Sequence, residues 1–422
     1  MEVVEDNNEI KHSAHFQKYL IFVCWIVYMI AQIGRYSYSS NITLIMEEYG
    51  VNYAAAGLPA TFYFFAYGIG QIVTGIFCAK YNKKIVISTV LVVSAICNTL
   101  LFTRIDFVYI KYIWAINGFA QANLWPILIL TIGQNIQTKY KAAAAICMST
   151  ATTGGTFLSY MLGGAFAIDK SLFYYTFLVS GIALIAAAVI WFFSVGKIGD
   201  NGIAQDATNE ENKSVNKTIK DKSWKTILLF ALFAEFAITS LAISGGLRQW
   251  VPSIMKDMYG LEDWMAIFVT VFLPLISIPN AFLSGLLYKI WGNFVLTIGL
   301  MFALAILLFI TLILIINTSW LLVLIFFILL SMSMGIIQNQ LTVQVPLYMQ
   351  DKANAGFLAG FLNGCSYIGN AFSIYGLGVI ADNGGWMGVF FLLLGVTVVS
   401  ATLAFLYFGI KYLGKTSRKK YQ

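Results

Sequence analysis

Two stretches, GGTFLSYMLG at residues 154–163 and GNAFSIYGLG at residues 369–378, carry glycine, phenylalanine, tyrosine, leucine and glycine at the same five positions. They lie 215 residues apart, about half the length of the 422-residue chain. A second pair has nearly the same spacing, because a Gly-x-x-Gln-x-Asn motif that begins at Gly118 recurs as Gly-x-x-Gln-x-Gln at Gly335. Two matches at one spacing favour an internal duplication over chance similarity.

The repeated stretches lie within long apolar segments. Hydrophobic residues make up 59% of the chain and charged residues only 11%, whereas about a quarter of a soluble globular chain is charged. Since a helix needs about 20 mostly apolar residues to cross a bilayer, the composition predicts about twelve crossings. The runs are continuous, without the alternation of barrel strands, and in lipid a continuous run satisfies its own backbone polar groups only as a helix.

Twelve apolar runs, separated by short polar stretches, fall into two sets of six. The first set lies at about residues 19–46, 54–79, 85–103, 107–136, 142–167 and 171–196, and the second at about 225–254, 264–288, 293–316, 319–346, 354–381 and 386–412. The sequence therefore predicts an all-α integral membrane protein with two pseudo-symmetric six-helix bundles, at 19–196 and 224–413. A cytoplasmic linker at 197–223 and tails at 1–18 and 414–422 complete the predicted organisation.

The basic residues predict the orientation of the chain in the membrane. With the N-terminus inside, the cytoplasmic segments hold 20 Lys and Arg residues and the external loops hold four. This asymmetry predicts a multi-pass protein of the plasma (inner) membrane with both termini cytoplasmic. The basic residues of the cytoplasmic segments also account for the net charge of +7, so this charge does not indicate a nucleic-acid partner and none is expected. The polar first 18 residues lack the apolar core of a cleavable signal peptide. A monomer in the lipid bilayer is predicted.

Residues that usually carry catalysis or metal binding are sparse. The two histidines, His12 and His15, lie in the polar N-terminal tail, and the five cysteines lie in apolar runs without metal-ligand or redox spacing. No phosphate-binding loop for ATP is present. The sequence therefore predicts no enzyme, no metal site and no cofactor, and any work must be driven by an exchanged solute or an ion gradient.

Three charged residues lie well inside apolar runs: Arg35 in the first, and Glu235 and Arg248 in the seventh. Each costs at least about 2.5 to 3.5 kcal/mol to insert, so such residues usually face a cavity and carry function. The arginines are 213 residues apart, nearly the repeat spacing, and therefore occupy equivalent places in the two halves. Two guanidinium groups facing one cavity predict a site for a carboxylate or phosphate.

Structural alternatives to this interpretation remain open. Each arginine could be neutralised by a structural partner, although Glu235 lies about 20 Å along the helix from Arg248 and cannot pair with it there. Glu235 is a candidate for proton coupling, or it could lie near the cytoplasmic interface and be solvated.

Further polar residues in the predicted helices are candidates for binding a solute. They are Gln121, Asn123, Gln338 and Gln340 from the repeated motif, together with Tyr38, Tyr67 and Gln71. In each case the alternative is a hydrogen bond between neighbouring helices, which contributes about 0.6 kcal/mol on average.

The chain resembles the major facilitator superfamily, and within it the organophosphate:phosphate antiporters, which include glycerol-3-phosphate and hexose-6-phosphate transporters. The resemblance covers essentially the whole chain. It rests on GRYSYSSN (34–41), AYGIGQIVTG (66–75), NGFAQANLWP (117–126), QWVPS (249–253) and NGCSYIGNAFSIYGLG (363–378). The superfamily signature between the second and third helices is degraded, since Ala79 replaces the usual aspartate and Asn82 the usual glycine.

The resemblance implies a rocker-switch carrier in which one arginine from helix 1 and one from helix 7 bind the substrate phosphate. Arg35 matches the first position directly, whereas the second family arginine aligns near Ser244, one turn before Arg248. The family lysine of helix 2 is replaced by Gln71, and the family histidine of helix 5 falls near Ala151. These departures leave an anionic substrate in place but weaken the expectation of a phosphate ester.

The sequence thus predicts a secondary active transporter of a small organic anion, either a phosphate ester or a carboxylate. Alternating access would carry this solute across the membrane, and one form of this function is an antiporter that exchanges it for inorganic phosphate. One alternative is a proton-coupled organic-acid symporter that depends on Glu235. Another, of a different class, is a non-transporting sensor with the same fold.

Overall fold

The computed structural model describes residues 14–77, 82–195, 221–275, 277–349, 352–353 and 355–419. These residues are almost entirely helical, and they contain no β-strand. All but the last three residues of the predicted linker at 197–223 lie outside the described ranges. Residues 1–13 and 420–422 of the predicted tails also lie outside them.

The first half contributes six membrane helices, numbered here α1 to α6. They are α1 (Ala14–Ser40, continued by Ile42–Tyr49), α2 (Tyr53–Phe77), α3 (Lys83–Phe102), α4 (Phe107–Gln121 and Leu124–Asn135), α5 (Thr138–Ala167) and α6 (Tyr175–Val195). Each helix corresponds in order to one predicted apolar segment of the first set.

The second half contributes α7 to α12. They are α7 (Trp224–Tyr259), α8 (Asp263–Thr270, Phe272–Leu275 and Ser277–Trp291), α9 (Phe294–Ile315), α10 (Trp320–Asn339, Gln340–Gln344 and Val345–Tyr348), and α11 and α12, which together form Ala355–Lys419. The last two meet at Gly385, whose φ of 65° interrupts the helical backbone. The twelve-helix prediction is therefore confirmed over the described part of the chain.

The helices differ in how apolar they are. In the described part, eight continuous helical stretches are long and apolar enough to cross a membrane, and one of them holds both α11 and α12. The helices missing from that set are α2, α5 and α8. Their position explains the difference, since α2 packs along α11 and α5 packs along α8, across the interface between the halves. Helices that face protein on several sides need less apolar surface than helices that face lipid.

Glycines show that the two halves are built alike. A Cβ on Gly155 of α5 would lie 2.1 Å from the carbonyl oxygen of Met29 in α1, and a Cβ on Gly369 of α11 would lie 2.7 Å from that of Ile238 in α7. Both sites lie in the repeated stretches, and in both only glycine permits the close approach of the two backbones. The repeat thus packs the fifth helix of each half against the first helix of that half.

The first helix of each half also ends in the same way. Gly50 follows α1 with φ 61° and Gly260 follows α7 with φ 65°, and each donates its N–H to a carbonyl of the preceding turn. A left-handed glycine is a common helix terminus, because a side chain there would be strained. Both glycines precede the second helix of their half.

Candidate functional site

A cavity of about 330 Å³ lies between the two halves. Its wall is formed mainly by α5 from the first half and by α7, α8, α10 and α11 from the second. This volume lies at the lower end of the range of small-molecule sites, about 300 to 1,000 Å³. The cavity can therefore hold a compact solute.

Irregular backbone borders the cavity on the side of the second half. Helix α8 is interrupted at Val271, between Thr270 and Phe272, and α10 contains a π-helical turn at Gln340–Gln344. Pro274, Asn339 and Thr342, which lie in or beside these segments, line the cavity. Non-helical backbone at membrane depth is tolerated where it lines a cavity, and π-turns occur frequently at functional sites.

Arg248 lines the cavity from α7. Its Nε is buried without a hydrogen-bond partner. The hydroxyl of Tyr160 in α5 donates a hydrogen bond to the backbone carbonyl oxygen of Arg248 at 3.4 Å, and Tyr160 also lines the cavity. The guanidinium of Arg248 is thus held beside the cavity with donor capacity left over.

Arg35 lies behind the cavity wall, inside a cage of aromatic rings. Its Cζ is 4.1 Å from the centroid of the Tyr67 ring and 5.0 Å from that of Tyr367. Three further rings lie within 5.6 Å of it: those of Tyr36, Tyr63 and Phe64. A cation buried among ring faces gains electrostatic attraction from each of them.

The wall between Arg35 and the cavity is only one side chain thick, since Tyr36, Phe64 and Tyr367 line the cavity themselves. Arg35 is 3% exposed, and its Nε and Nη2 have no hydrogen-bond partner. Tyr367 belongs to the second half, whereas Arg35 belongs to the first, so a movement of the halves would change this cage.

Neither arginine forms an ion pair with a carboxylate among the described residues. All ion pairs among the described residues lie at one end of the molecule and involve Arg104, Lys170 and Lys256. No aspartate or glutamate lines the cavity in the part of the chain that the structure describes. Two guanidinium groups at membrane depth therefore lack an anionic counterpart from the protein, which is costly unless a bound anion supplies it.

Three of the other predicted polar residues lie at or next to the cavity. Gln338 lines it and donates hydrogen bonds to the Ala237 carbonyl at 2.9 Å and to Ser240 Oγ at 2.6 Å. Tyr67 and Gln71 are hydrogen-bonded to each other at 3.0 Å. Gln71 also accepts a hydrogen bond across the interface at 3.2 Å from Asn363, which lines the cavity.

The structure places the remaining predicted residues in hydrogen bonds between or within helices. Gln121 donates to Ser94 Oγ at 2.7 Å, and Asn123 accepts from Thr74 at 2.9 Å. Gln340 donates to the Ser284 carbonyl at 3.3 Å, and the Tyr38 hydroxyl donates to the Ala56 carbonyl at 2.8 Å. None of these four lines the cavity. The geometry thus favours the structural alternative for them, and their contact with a solute stays a prediction.

Several cavity residues were not singled out from the sequence. They include Tyr36, Tyr160, Asn280, Asn363, Tyr367 and Asn370. A polar side chain in an apolar segment has a recognisable signal only when it is charged or repeats. Asn370 lies inside the stretch 369–378 that identifies the repeat, but it aligns with Gly155. It is therefore not one of the positions that the two stretches share, and the repeat does not select it.

Glu235 lies away from the cavity, at the contact between α7 and α12. Its Oε1 accepts hydrogen bonds from Ser400 at 2.6 Å and from Thr239 at 3.0 Å, whereas its Oε2 is buried without a partner. Arg35 and Arg248 are not among its contacts. In the described part of the chain, no group of three or more His, Cys, Asp or Glu residues could hold a metal ion.

The two halves are joined at one end by four charged residues. Lys170 bridges Glu47 at 2.7 Å and Asp263 at 2.8 Å, and Lys256 pairs with Asp263 at 2.7 Å and with Glu47. Glu47 and Lys170 belong to the first half, and Lys256 and Asp263 to the second. Two of the four pairs therefore cross the interface, and this ring defines the joined end of the molecule.

Further contacts reinforce the joined end. The Asp382 carboxylate of α11 accepts hydrogen bonds from the backbone N–H groups of Tyr53 at 3.0 Å and Ala54 at 2.9 Å, the first residues of α2. A carboxylate at a helix N-terminus satisfies free donors and complements the helix dipole. Asp257 accepts from Tyr53 and from Trp386, the latter at 2.8 Å.

Electrostatics favour the charged form of this ring. Glu47 lies beyond the predicted membrane span at 19–46. Partial burial raises the pKa of its carboxyl, but the hydrogen bonds from Lys170 and Lys256 outweigh this effect, and the pKa lies below its ordinary value of 4.5. The Glu47 carboxylate is therefore charged at neutral pH, as its ion pair with Lys256 across the interface requires.

The fold and the cavity between two similar halves are those of a membrane transporter. A family model of the Major Facilitator Superfamily matches residues 24–374, most of the chain, so the chain belongs to this superfamily. It is a transporter of small solutes and not an enzyme.

Two curated relatives are similar over part of the chain. The Xenopus laevis protein named sugar phosphate exchanger 3 is 25% identical over 145 residues, which is 33% of this chain and 28% of that protein. A Chlamydia pneumoniae protein named probable hexose phosphate transport protein is 22% identical over 124 residues, 29% of this chain and 27% of that protein. The matches thus span about a quarter of the relatives' length.

Solved structures share the fold over nearly the whole chain. A bacterial homologue of the human lysosomal transporter Spinster, in an inward-facing and occupied conformation, superposes with a TM-score of 0.73 at 16% identity, covering 94% of this chain and 97% of the other. The nucleoside transporter NupG gives 0.69 at 13% identity, covering 92% and 99%. At such identities the likeness establishes the architecture alone.

Proposed function

We propose that this protein is a secondary carrier of a small organic phosphate, which it exchanges for inorganic phosphate. The observation that carries the proposal is the pair of guanidinium groups at the cavity, Arg248 in its wall and Arg35 just behind it, without an acidic partner. A bound oxyanion would supply the missing charge and accept the free N–H donors. The names of the two curated relatives, both of which mention sugar phosphates, support the same chemistry.

Phosphate suits the two arginines better than a carboxylate does. A carboxylate offers two oxygens and a single charge, which one guanidinium satisfies through paired hydrogen bonds. A phosphate group offers more oxygens and close to two negative charges, so it can engage two guanidinium groups at once. A single carboxylate would leave one buried arginine without a counterpart.

The proposed mechanism is alternating access. In the present conformation the ring at Glu47, Lys170, Lys256 and Asp263 joins the halves at one end. Opening that end requires that the two pairs across the interface separate. Movement of the second half also withdraws Tyr367 from Arg35 and uncovers the guanidinium on that side. Bound anion offsets the mutual repulsion of the arginines and allows the halves to close around it.

The orientation follows from the predicted topology. With both termini in the cytoplasm, the joined end faces the outside and the conformation is closed to the exterior. The proposed location is the plasma (inner) membrane, where the chain would act as a monomer.

The proposal can be tested with purified protein in proteoliposomes preloaded with inorganic phosphate. We expect uptake of labelled glycerol phosphate or hexose phosphate that depends on internal phosphate. Arg35→Ala and Arg248→Ala should each lower uptake by about 10- to 100-fold, because hydrogen bonds to a charged group are lost. Arg104→Ala is the matched control, since its side chain is 56% exposed and lies at the joined end.

Other outcomes favour the alternatives. Uptake of an organic acid that needs only an inward proton gradient and fails in Glu235→Gln would support a proton-coupled symporter. Binding of phosphate esters without flux, in protein that is monodisperse and folded, would support a sensor. Unchanged exchange in both arginine variants would contradict the proposed anion site.

A further inference from the structure

Two buried asparagines in the cavity wall have acceptor atoms without partners. Asn280 of α8 is 6% exposed and Asn370 of α11 is 3% exposed, and both line the cavity. The side-chain oxygen Oδ1 of each has no hydrogen-bond partner. Buried amide oxygens are usually paired, so two orphaned ones at the same cavity require an explanation.

Glycines on neighbouring helices make room for both amides. A Cβ on Gly335 of α10 would lie 1.9 Å from Nδ2 of Asn280, and a Cβ on Gly245 of α7 would lie 2.1 Å from Oδ1 of Asn370. Both glycines line the cavity too. Any side chain at these two positions would collide with the amides. Each asparagine amide thus packs beside the cavity against the backbone of a neighbouring helix, at a glycine that has no side chain.

The chemistry of these oxygens identifies what they bind. An amide oxygen accepts hydrogen bonds and repels an oxyanion, so the two partnerless Oδ1 atoms do not face the oxygens of the phosphate group. The bound molecule must therefore present donors. An ammonium group does not fit, because the cavity has an arginine in its wall, another behind it, and no carboxylate in the described lining. Hydroxyl groups are neutral donors that fit, and the carbon skeleton of an organic phosphate such as a sugar phosphate carries them.

We infer that Asn280 and Asn370 form a hydroxyl-binding subsite that determines which organic phosphate is carried. The inference rests on the proposed function, in which the arginines hold the phosphate group. The asparagines then hold the hydroxylated carbon skeleton. Inorganic phosphate, which has no such skeleton, makes no use of them. The two exchanged solutes therefore depend differently on the same cavity.

The test compares three competitors in proteoliposomes that carry out phosphate homo-exchange. Glycerol phosphate carries hydroxyl groups on a three-carbon skeleton. Propyl phosphate has three carbons without these hydroxyl groups, and inorganic phosphate has no carbon skeleton. We expect Asn280→Ala and Asn370→Ala each to weaken inhibition by glycerol phosphate about three- to tenfold, the loss of one neutral hydrogen bond. Inhibition by propyl phosphate and by inorganic phosphate should change by less than about twofold, which is smaller than the loss expected from one hydrogen bond.

A second substitution separates an acceptor role from a structural one. Asn370→Asp keeps the shape and the acceptor oxygens but adds negative charge, so it should weaken all three competitors by a similar factor and preserve the preference for glycerol phosphate. Asn383→Ala, an exposed asparagine at the end of α11 that bonds to the Val379 carbonyl, is the matched control and should change nothing.

Distinct results would overturn the inference and the proposed function. If the alanine variants weaken inorganic phosphate as much as glycerol phosphate, the asparagines bind the anionic group or support the fold, and the subsite does not exist. An unchanged preference for glycerol phosphate over propyl phosphate would also refute it. If the wild-type protein exchanges no phosphate at all, the proposed function itself fails.

Discussion

Removal of Lys256 should shift the protein toward the conformation in which the joined end is open. This lysine pairs with Glu47 across the interface and with Asp263 in its own half. In Lys256→Ala one of the two pairs across the interface disappears. Asp263, which is 4% exposed, keeps only Lys170 as a partner.

The size of the effect can be worked out from the exposure of these groups. The Glu47 side chain is 41% exposed and that of Lys256 is 28% exposed, so solvent screens the pair. Partly exposed ion pairs contribute about 0.2 to 1 kcal/mol. The upper part of this range applies here, since the ring is a network and Asp263 is buried. A loss of about 1 kcal/mol raises the ratio of open to closed molecules about fivefold.

Distances between spin labels measure this ratio directly. Labels at Glu48 and Asn383, exposed positions in different halves at the joined end, report its separation. We expect the ratio of the long-distance to the short-distance population to grow about fivefold in Lys256→Ala, and salt to mimic the substitution in the unsubstituted protein.

The matched control is Arg104→Ala. It removes the 3.7 Å ion pair with Glu48, which lies within the first half, so it should leave the distances unchanged. For this comparison both variants carry the first label at Ile168, which is 72% exposed and lies two residues before Lys170, because a label at Glu48 would itself remove the pair. Equal shifts in Lys256→Ala and Arg104→Ala would refute the role of the pairs across the interface, and so would no shift in either.

Three further predictions concern other parts of the molecule. The pKa of the Glu47 carboxyl lies below 4.5, so its contribution to closure is complete above pH 4.5 and is lost only as the pH falls through the lowered pKa. The label distances should therefore stay constant from pH 8 to about 5 and lengthen in stronger acid. Glu235→Gln should leave phosphate exchange within about twofold of the wild type, because this residue lies outside the cavity and a glutamine keeps an acceptor oxygen for the hydroxyl groups of Thr239 and Ser400. A large loss in the exchange assay would contradict this placement. Gly155→Ala should destabilise the protein by about 1 to 3 kcal/mol, since the added methyl group meets the Met29 carbonyl, whereas Gly133→Ala has open space around it and should not; thermal unfolding in detergent compares the two.

Most of the architecture could be predicted from the sequence, because it depends on local properties. Each apolar run must form a helix of its own in lipid, so the number and order of the helices follow from hydropathy alone. The repeat added the relation between the halves, and in each half a glycine of the repeated stretch, Gly155 or Gly369, packs the fifth helix closely against the first. The break in α8 at Val271 and the π-helical turn in α10 were not foreseen, since they depend on neighbours that stabilise irregular backbone.

The site was predicted less completely. Charge inside an apolar run is a strong signal, and it identified Arg35 and Arg248. The repeat also identified Gln338, which lines the cavity, but it gave equal weight to Gln121, which is hydrogen-bonded inside the first half. Sequence spacing establishes that two residues are equivalent; it does not establish which side of a helix faces the cavity.

Two related sets of membrane-crossing helices, and two arginines where a charge is costly, can be derived from the amino-acid sequence alone. The reason is that insertion energy depends on each segment separately. In contrast, the aromatic cage around Arg35, completed by the other half, and the free acceptors of Asn280 and Asn370 at the cavity become visible only once the chain is folded. Those properties arise from contacts between helices distant in sequence, where the absence of a partner is as informative as its presence.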